Sequence, residues 1–104
     1  MREPPIGLIV EKIAAAFNPR RIIMFGSRAR GDASPGSDLD LLVEMDSDKP
    51  PPRRASDILR LFGPRKWAMD VVVYTPEEVK RLRNVVGTLV YTVEREGKVL
   101  YERQ

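Results

Sequence analysis

The chain has 104 residues and a formal net charge of +3, and it contains neither cysteine nor histidine. These absences exclude thiol nucleophiles, disulfides, zinc sites and imidazole catalysis, so a bound metal must be a hard cation with oxygen ligands, such as Mg²⁺ or Mn²⁺. The length suits one domain with a modest core, which we predict to span residues 1–104. Without a signal peptide or a membrane-spanning apolar segment, the expected location is the cytoplasm, with no membrane partner.

The first half of the chain predicts a helix followed by two strands. Residues 5–17 place apolar side chains at helical spacing, and residues 21–25 form an apolar run typical of a strand. Gly26 and Ser27 then open a short helical turn, whose free N–H groups would face an incoming anion. Residues 38–45 are predicted to form the second strand.

A polar, proline-rich connection over residues 46–52 separates the second strand from a predicted helix over 54–62. Residues 67–74 predict the third strand. Residues 71–73 within it are three consecutive valines, apolar on both faces, and this pattern is typical of a buried central strand.

The last part of the chain begins with a helix start signal. Thr75 is a capping residue followed by proline and two acids, which predicts a helix from residue 76 through 93 with a break near Gly87. Gly97 ends this segment, and residues 99–101 predict a short closing strand. The whole order predicts an α/β (α+β) fold, with a small mixed sheet of three to four strands flanked by helices.

The most distinctive motif lies between the first two predicted strands. Gly26 and Ser27 are followed, after ten intervening residues, by Asp38 and Asp40. Because side chains alternate along a strand, the two aspartates lie on the same face, about 7 Å apart. Two acids in an apolar strand cost several kcal/mol of desolvation unless a cation or protons compensate them. The motif therefore predicts a metal site at Asp38 and Asp40.

Asp70 interrupts the most apolar predicted strand, where a lone carboxylate would be costly. If this strand lies beside the second one, Asp70 converges with Asp38 and Asp40, and the three carboxylates raise one another's pKa unless divalent cations bind. The alternative is that Asp70 pairs with a buried arginine.

The turn before the acidic pair has the properties of a phosphate site. Gly26 allows the backbone to approach phosphates closely, Ser27 offers its hydroxyl and N–H groups, and Arg28 can add positive charge. The alternatives are that Ser27 only caps the helix and that Arg28 and Arg30 only face solvent.

The segment Gly-Ser-Arg-Ala-Arg-Gly at 26–31, followed by Asp-x-Asp, resembles the minimal nucleotidyltransferase (MNT) domains of the DNA polymerase beta-like superfamily. This resemblance implies a polymerase-beta-like core that uses ATP and two Mg²⁺ (or Mn²⁺) ions per site. It also implies that Asp38 and Asp40 bind both ions, whereas Asp70 binds one and helps to deprotonate the attacking hydroxyl.

The resemblance implies a partner as well. MNT proteins often act as antitoxins of helical HEPN ribonuclease toxins, some by transferring AMP to the toxin, so we expect a partner-protein acceptor that brings its own docking surface. Two alternatives stay open: neutralisation by binding without turnover, and transfer to RNA or a small molecule, so nucleic-acid binding is undecided. Four apolar residues are candidates for docking the partner: Val85, Val86, Leu89 and Val93.

Overall fold

A computed structural model describes residues 3–34 and 36–104, so Met1, Arg2 and Pro35 of the predicted domain lie outside the described residues. Over the described ranges the chain forms five helices and four strands. Their bounds, in chain order, are α1 Ile6–Phe17, β1 Arg21–Phe25, α2 Ser27–Arg30, β2 Leu39–Glu44, α3 Pro51–Leu59, β3 Met69–Tyr74, α4 Pro76–Leu82, α5 Leu89–Glu96 and β4 Lys98–Glu102. In these ranges no helix combines the length and apolar character that crossing a bilayer requires.

The strands form one mixed sheet in the order β3-β2-β1-β4. The strand β2 pairs antiparallel with β1 and parallel with β3, and β4 pairs antiparallel with β1. The predicted mixed α/β fold is thereby confirmed. Because β2 and β3 run in the same direction, their first residues lie at the same end of the sheet as the last residues of β1.

The strand β3 lies at an edge of the sheet, so the prediction that it is central was wrong. Its three valines are nevertheless covered on both faces: Val71 and Val73 belong to one hydrophobic cluster, and Val72 packs against another. Apolar residues on both faces of a strand indicate that both faces are covered by other parts of the chain. They do not report how many neighbouring strands the segment has.

Hydrophobic clusters lie on both faces of the sheet. The larger cluster includes Ile9 and Ile13 of α1, Ile58 of α3, and Leu41 of β2. The smaller cluster joins Leu42 of β2 to buried residues of β1, α4 and α5, namely Ile23, Val79, Val90 and Val93. Since side chains alternate along β2, Asp40 and Glu44 share the face of Leu42, which α4 and α5 cover.

Two helix boundaries differ from the predictions. The helix α3 begins at Pro51 rather than at residue 54, because proline fits the first helical turn, where its missing N–H group has no partner to lose. The segment predicted to be helical over 76–93 forms two helices, α4 and α5. Residues 83–88 separate them, and Gly87 has a φ of +92° there. The predicted cap at Thr75 is confirmed, since its side chain accepts from the N–H of Glu78 at 3.2 Å.

Candidate active site

Asp40 and Asp70 occupy paired positions near the starts of β2 and β3. Neighbouring strands lie about 4.8 Å apart, and paired residues of parallel strands direct their side chains to the same face. Asp38 precedes β2 by one residue. Asp40 is half-buried, whereas Asp38 and Asp70 are exposed. The topology therefore brings the three predicted aspartates to one end of the sheet.

The electrostatics of Asp40 show that the three carboxylates interact. Burial raises the pKa of the Asp40 carboxyl, and the negative charges of Asp70 and Asp38 raise it further, whereas the charge of Arg30 lowers it. None of the three aspartates forms an ion pair with a lysine or arginine among the described residues. The cluster therefore has more negative charge than residues 3–34 and 36–104 compensate through ion pairs.

Asp70 reaches this cluster because its strand lies beside β2, the arrangement on which the sequence-based expectation depended. The expectation that it is a costly buried carboxylate was wrong, because the side chain is exposed at the edge of the sheet. The alternative, a pair with a buried arginine, is not found among the described residues. What places Asp70 beside Asp40 is the parallel register of β2 and β3.

Gly26 connects β1 to the acidic cluster. Its φ is +78°, a conformation that residues with a side chain rarely adopt. A Cβ atom added here would overlap the Oδ2 atom of Asp40 and lie 3.3 Å from its Cγ atom. Glycine is required at this position on both counts, and the main chain of the turn lies directly against the Asp40 carboxylate.

The short helix α2 begins immediately after this glycine. The N–H groups of Ala29 and Arg30 both donate to the carbonyl of Gly26, each at 3.1 Å. The N–H groups of Ser27 and Arg28 stand before them, at positions where a helix has no internal acceptor. The turn thus offers donors for an anion next to the aspartates, as the sequence predicts.

The structure gives Arg28 a contact that the sequence did not predict. Its side chain is largely buried, and its Nε and Nη2 atoms donate to the carbonyl of Ser37 at 3.1 and 2.8 Å. Its Nη1 atom donates to Glu3 at 2.8 Å. Arg28 therefore holds the residue immediately before Asp38 in place, and a contact with a nucleotide stays a prediction.

Arg30 is a candidate that the sequence left undecided. Its guanidinium is half exposed and lies 3.3 Å from a carboxylate oxygen of Asp32. It is also the cation that lowers the pKa of Asp40. Its position two residues after Arg28 was a weak signal, because the sequence did not establish which residues of a single helical turn face the aspartates.

The donor set suits a hard divalent cation, since it consists of carboxylate oxygens with uncompensated negative charge. Within residues 3–34 and 36–104, no group of three or more acidic side chains is arranged so that it could hold a metal ion by itself. Mg²⁺ does not need one, because it is usually held by one or two carboxylates together with substrate phosphates and water. Asp38, Asp40 and Asp70, beside the turn at Gly26, fit this mode of binding.

Comparisons with known proteins identify the family and a similar fold. A family described as the nucleotidyltransferase domain matches residues 7–103. The chain belongs to the nucleotidyltransferase domain family. The crystal structure of a proposed nucleotidyltransferase from Sulfolobus solfataricus, solved at 1.40 Å, is similar with a TM-score of 0.67 and 25% identity, over 94% of this chain and 78% of that one. Among curated proteins, none matches the chain.

Family membership gives the geometry a chemical meaning. A nucleotidyltransferase must bind a nucleoside triphosphate, expose its α-phosphorus to an acceptor and compensate the charge of the leaving group. The turn at Gly26 and the aspartates of β2 and β3 place main-chain N–H donors and carboxylate oxygens side by side, which are the groups that such a reaction needs.

Proposed function

We propose that this nucleotidyltransferase transfers AMP from ATP to a hydroxyl group of a partner protein, in the presence of Mg²⁺ or Mn²⁺. The observation that carries the proposal is the contact between Gly26 and Asp40. It brings the turn that would receive the phosphates against the most strongly perturbed carboxylate of the cluster. We expect the reaction in the cytoplasm, where ATP is available.

The residues have separate roles in this reaction. Gly26 lets the phosphates approach the main chain, and Ser27 donates to them through its hydroxyl and N–H groups. The acceptor oxygen forms a bond to the α-phosphorus, the bond to the pyrophosphate breaks, and pyrophosphate leaves with its charge. Asp70, exposed at the edge of the sheet, would accept the proton of the acceptor hydroxyl.

Asp38, Asp40 and Asp70 would hold the cations. A divalent cation bound there neutralises the triphosphate charge and lowers the pKa of an acceptor hydroxyl. The raised pKa of Asp40 supports this assignment, since a cation relieves the repulsion that Asp70 and Asp38 exert on it. Arg28 would keep the acidic segment in place through its two hydrogen bonds to the carbonyl of Ser37.

The proposed acceptor is a helical partner of the HEPN type, for which this chain would act as the antitoxin. The similarity of residues 26–31 to MNT domains supports it. Of the four apolar residues predicted to dock a partner, Val86 is 77% exposed and Val85 is 46% exposed, both between α4 and α5. Leu89 is half-buried and Val93 is buried in the smaller cluster, so Val93 is not available for docking.

The proposal is tested with radiolabelled ATP, Mg²⁺ and the protein encoded by the neighbouring gene. We expect label on the partner with the wild-type chain, and at least about 10³-fold less with Asp40→Asn or Asp38→Asn, because electrostatic contributions of this kind are usually the largest in catalysis. The double variant Asp46→Asn/Asp48→Asn is a matched control. It alters a second Asp-x-Asp pair, which lies outside β2 in an exposed segment.

The outcomes separate the proposal from its alternatives. Loss of label in the β2 variants, with label retained in the control, supports transfer to the partner. Neutralisation of the partner that survives Asp40→Asn indicates binding without turnover. Label found only on added RNA or on small molecules contradicts the protein acceptor and leaves the nucleotidyltransferase activity intact.

A further inference from the structure

A polar pocket separate from the candidate active site lies at the opposite end of the sheet face that bears Asp40. It has a volume of about 280 Å³, and five residues line it: Arg20, Glu44, Pro76, Lys80 and Arg83. Glu44 pairs with Arg21, whereas Asp40 pairs with Phe25, four residues along β1. At about 3.3 Å per residue, the pocket lies roughly 13 Å from the candidate active site along the strand.

Positive charge predominates in this pocket. Its one carboxylate, Glu44, is only 2% exposed and already accepts from the Nε atom of Arg21 at 2.6 Å. The Nε atom of Arg20 lies 3.5 Å from the other oxygen of Glu44, and the Arg20 side chain is 58% exposed. The acid at the base of the pocket is therefore shared between two arginines and has little capacity left for further cations.

Lys80 and Arg83 add two more cations from α4 and from the residue that ends it. Neither forms an ion pair with any acid of residues 3–34 and 36–104. The main chain at Arg83 is fixed, because its carbonyl accepts from the Nη1 atom of Arg95 at 3.0 Å. Three cationic side chains thus border one pocket, and its single acid is shared between Arg20 of the pocket and Arg21 beside it.

We propose that this pocket binds a phosphate group. A phosphate presents several acceptor oxygens around one atom, so Arg20, Lys80 and Arg83 can donate to it together, and guanidinium groups suit it through paired N–H donors. A single carboxylate offers only two oxygens and would leave donors of the pocket without acceptors. The pocket is separate from the turn at Gly26, and its binding of phosphate does not depend on the proposed acceptor.

The phosphate can come from two sources, a free phosphate compound or the backbone of a single-stranded RNA. Both present the same oxygens to the three cations. A strand would also extend beyond the pocket and meet Arg81, the other cation of α4, so RNA should bind more tightly and with a steeper salt dependence than free phosphate. Orthophosphate and a five-nucleotide RNA are therefore the two probes.

The test is a titration of the isotopically labelled full chain, followed by the backbone amide signals. With orthophosphate we expect shifts at Arg20, Lys80 and Arg83 that saturate together. In the double variant Lys80→Ala/Arg83→Ala the affinity at this pocket should fall at least about tenfold, because two charge-assisted contacts are lost. Signals of Gly26 and Ser27 report separately on the candidate active site.

Arg81→Ala is the matched control, since Arg81 is an exposed cation of the same helix that does not line the pocket. It should leave the affinity for orthophosphate within about twofold of the wild-type value. The altered side chains are exposed, so the variants should fold. If the double variant does not, the single variants Lys80→Gln and Arg83→Gln take its place.

Three results would overturn the proposal: no saturable shifts at the pocket with either probe, an unchanged affinity for orthophosphate in the double variant, or an equal loss of orthophosphate affinity in Arg81→Ala. RNA binding about tenfold tighter than orthophosphate, with the same dependence on Lys80 and Arg83, identifies a nucleic-acid strand as the source. Equal affinities identify a free phosphate compound.

Discussion

The strand β2 bears two acidic residues on one face of the sheet, Asp40 near its start and Glu44 at its end, and their surroundings are opposite. Glu44 is 2% exposed and contacts Arg21 and Arg20. Asp40 is half-buried and has Asp70 and Asp38 as its acidic neighbours. Leu42, between the two acids, packs in the smaller hydrophobic cluster.

The difference shows how one strand separates a structural acid from a candidate functional one. At the Glu44 end the chain supplies its own cations, and Arg21 extends the network by pairing with Glu94. At the Asp40 end the described residues add further acids and form no ion pair with them, so a bound cation would supply the compensating charge. Proteins commonly accept such unfavourable groups at active sites at some cost in stability.

The largest effect that tests this comparison is expected from neutralising Glu44. Glu44→Gln leaves Arg21 without its principal partner in a nearly buried position, so we expect a loss of about 3 kcal/mol in unfolding free energy. Asp40→Asn, an equivalent change on the same strand, should not destabilise the fold. Urea unfolding of the two variants at neutral pH measures both effects.

The effects of these two substitutions on transfer activity should be the reverse of their effects on stability. A folded Glu44→Gln chain should retain most of its transfer activity at low temperature, whereas Asp40→Asn should lose it. Equal destabilisation by Glu44→Gln and Asp40→Asn would contradict this difference between the two acids, since both would then have a structural role.

The second effect concerns the close approach of Gly26 to Asp40. Gly26→Ala introduces a Cβ atom that overlaps the Asp40 carboxylate, and it does so at a φ of +78°. We expect a loss of about 1 to 2 kcal/mol in stability and a loss of nucleotide binding, because the carboxylate must turn away. Thermal unfolding and ATP titration measure the two quantities.

Gly31→Ala separates backbone strain from contact. Gly31 has a similar φ of +84°, but a Cβ atom there would meet nothing within 4 Å. Its ψ of 11° places it in the ordinary left-handed region, so its substitution should cost less stability than Gly26→Ala and leave ATP binding unchanged. If Gly31→Ala weakens ATP binding as strongly, the contact with Asp40 is not what makes glycine necessary at position 26.

Much of the fold and the main acids of the site could be predicted from the sequence. Hydrophobic spacing is a local property, so α1, β1 and β4 were placed within a few residues, and the alternation of β2 put Asp38 and Asp40 on one face. The sequence also predicted a close approach of the main chain at Gly26, although it named the phosphates and not the Asp40 carboxylate as the neighbour.

What the sequence did not predict depends on contacts between distant segments. Pairing order made β3 an edge strand and left Asp70 exposed. Likewise, the structural role of Glu44 follows from its antiparallel register with Arg21, 23 residues earlier. The bond from Arg28 to the carbonyl of Ser37 depends on the path of the loop before β2, which no periodicity describes.

The smallest expected effect is a difference between wild type and Asp40→Asn in how the free energy of unfolding depends on pH. Since the pKa of Asp40 is raised above its ordinary value of 3.8, the folded chain favours the protonated carboxyl. Below that ordinary value Asp40 is protonated in both states, and wild type and Asp40→Asn should be equally stable. As the pH rises through the raised pKa, the wild type should lose stability relative to the variant, because the folded chain disfavours the ionised carboxylate.

Magnesium should reverse this loss, because a bound cation favours the ionised carboxylates. At a concentration ten times its dissociation constant, Mg²⁺ should stabilise the wild type by about 1.4 kcal/mol at neutral pH and much less at acid pH. Urea unfolding with and without Mg²⁺ across this pH range measures the effect, with Asp46→Asn as the control that keeps it. An equal stabilisation of Asp40→Asn would mean that Mg²⁺ binds elsewhere. Asp40 would then not be a cation-binding residue, despite its acidic neighbours Asp38 and Asp70.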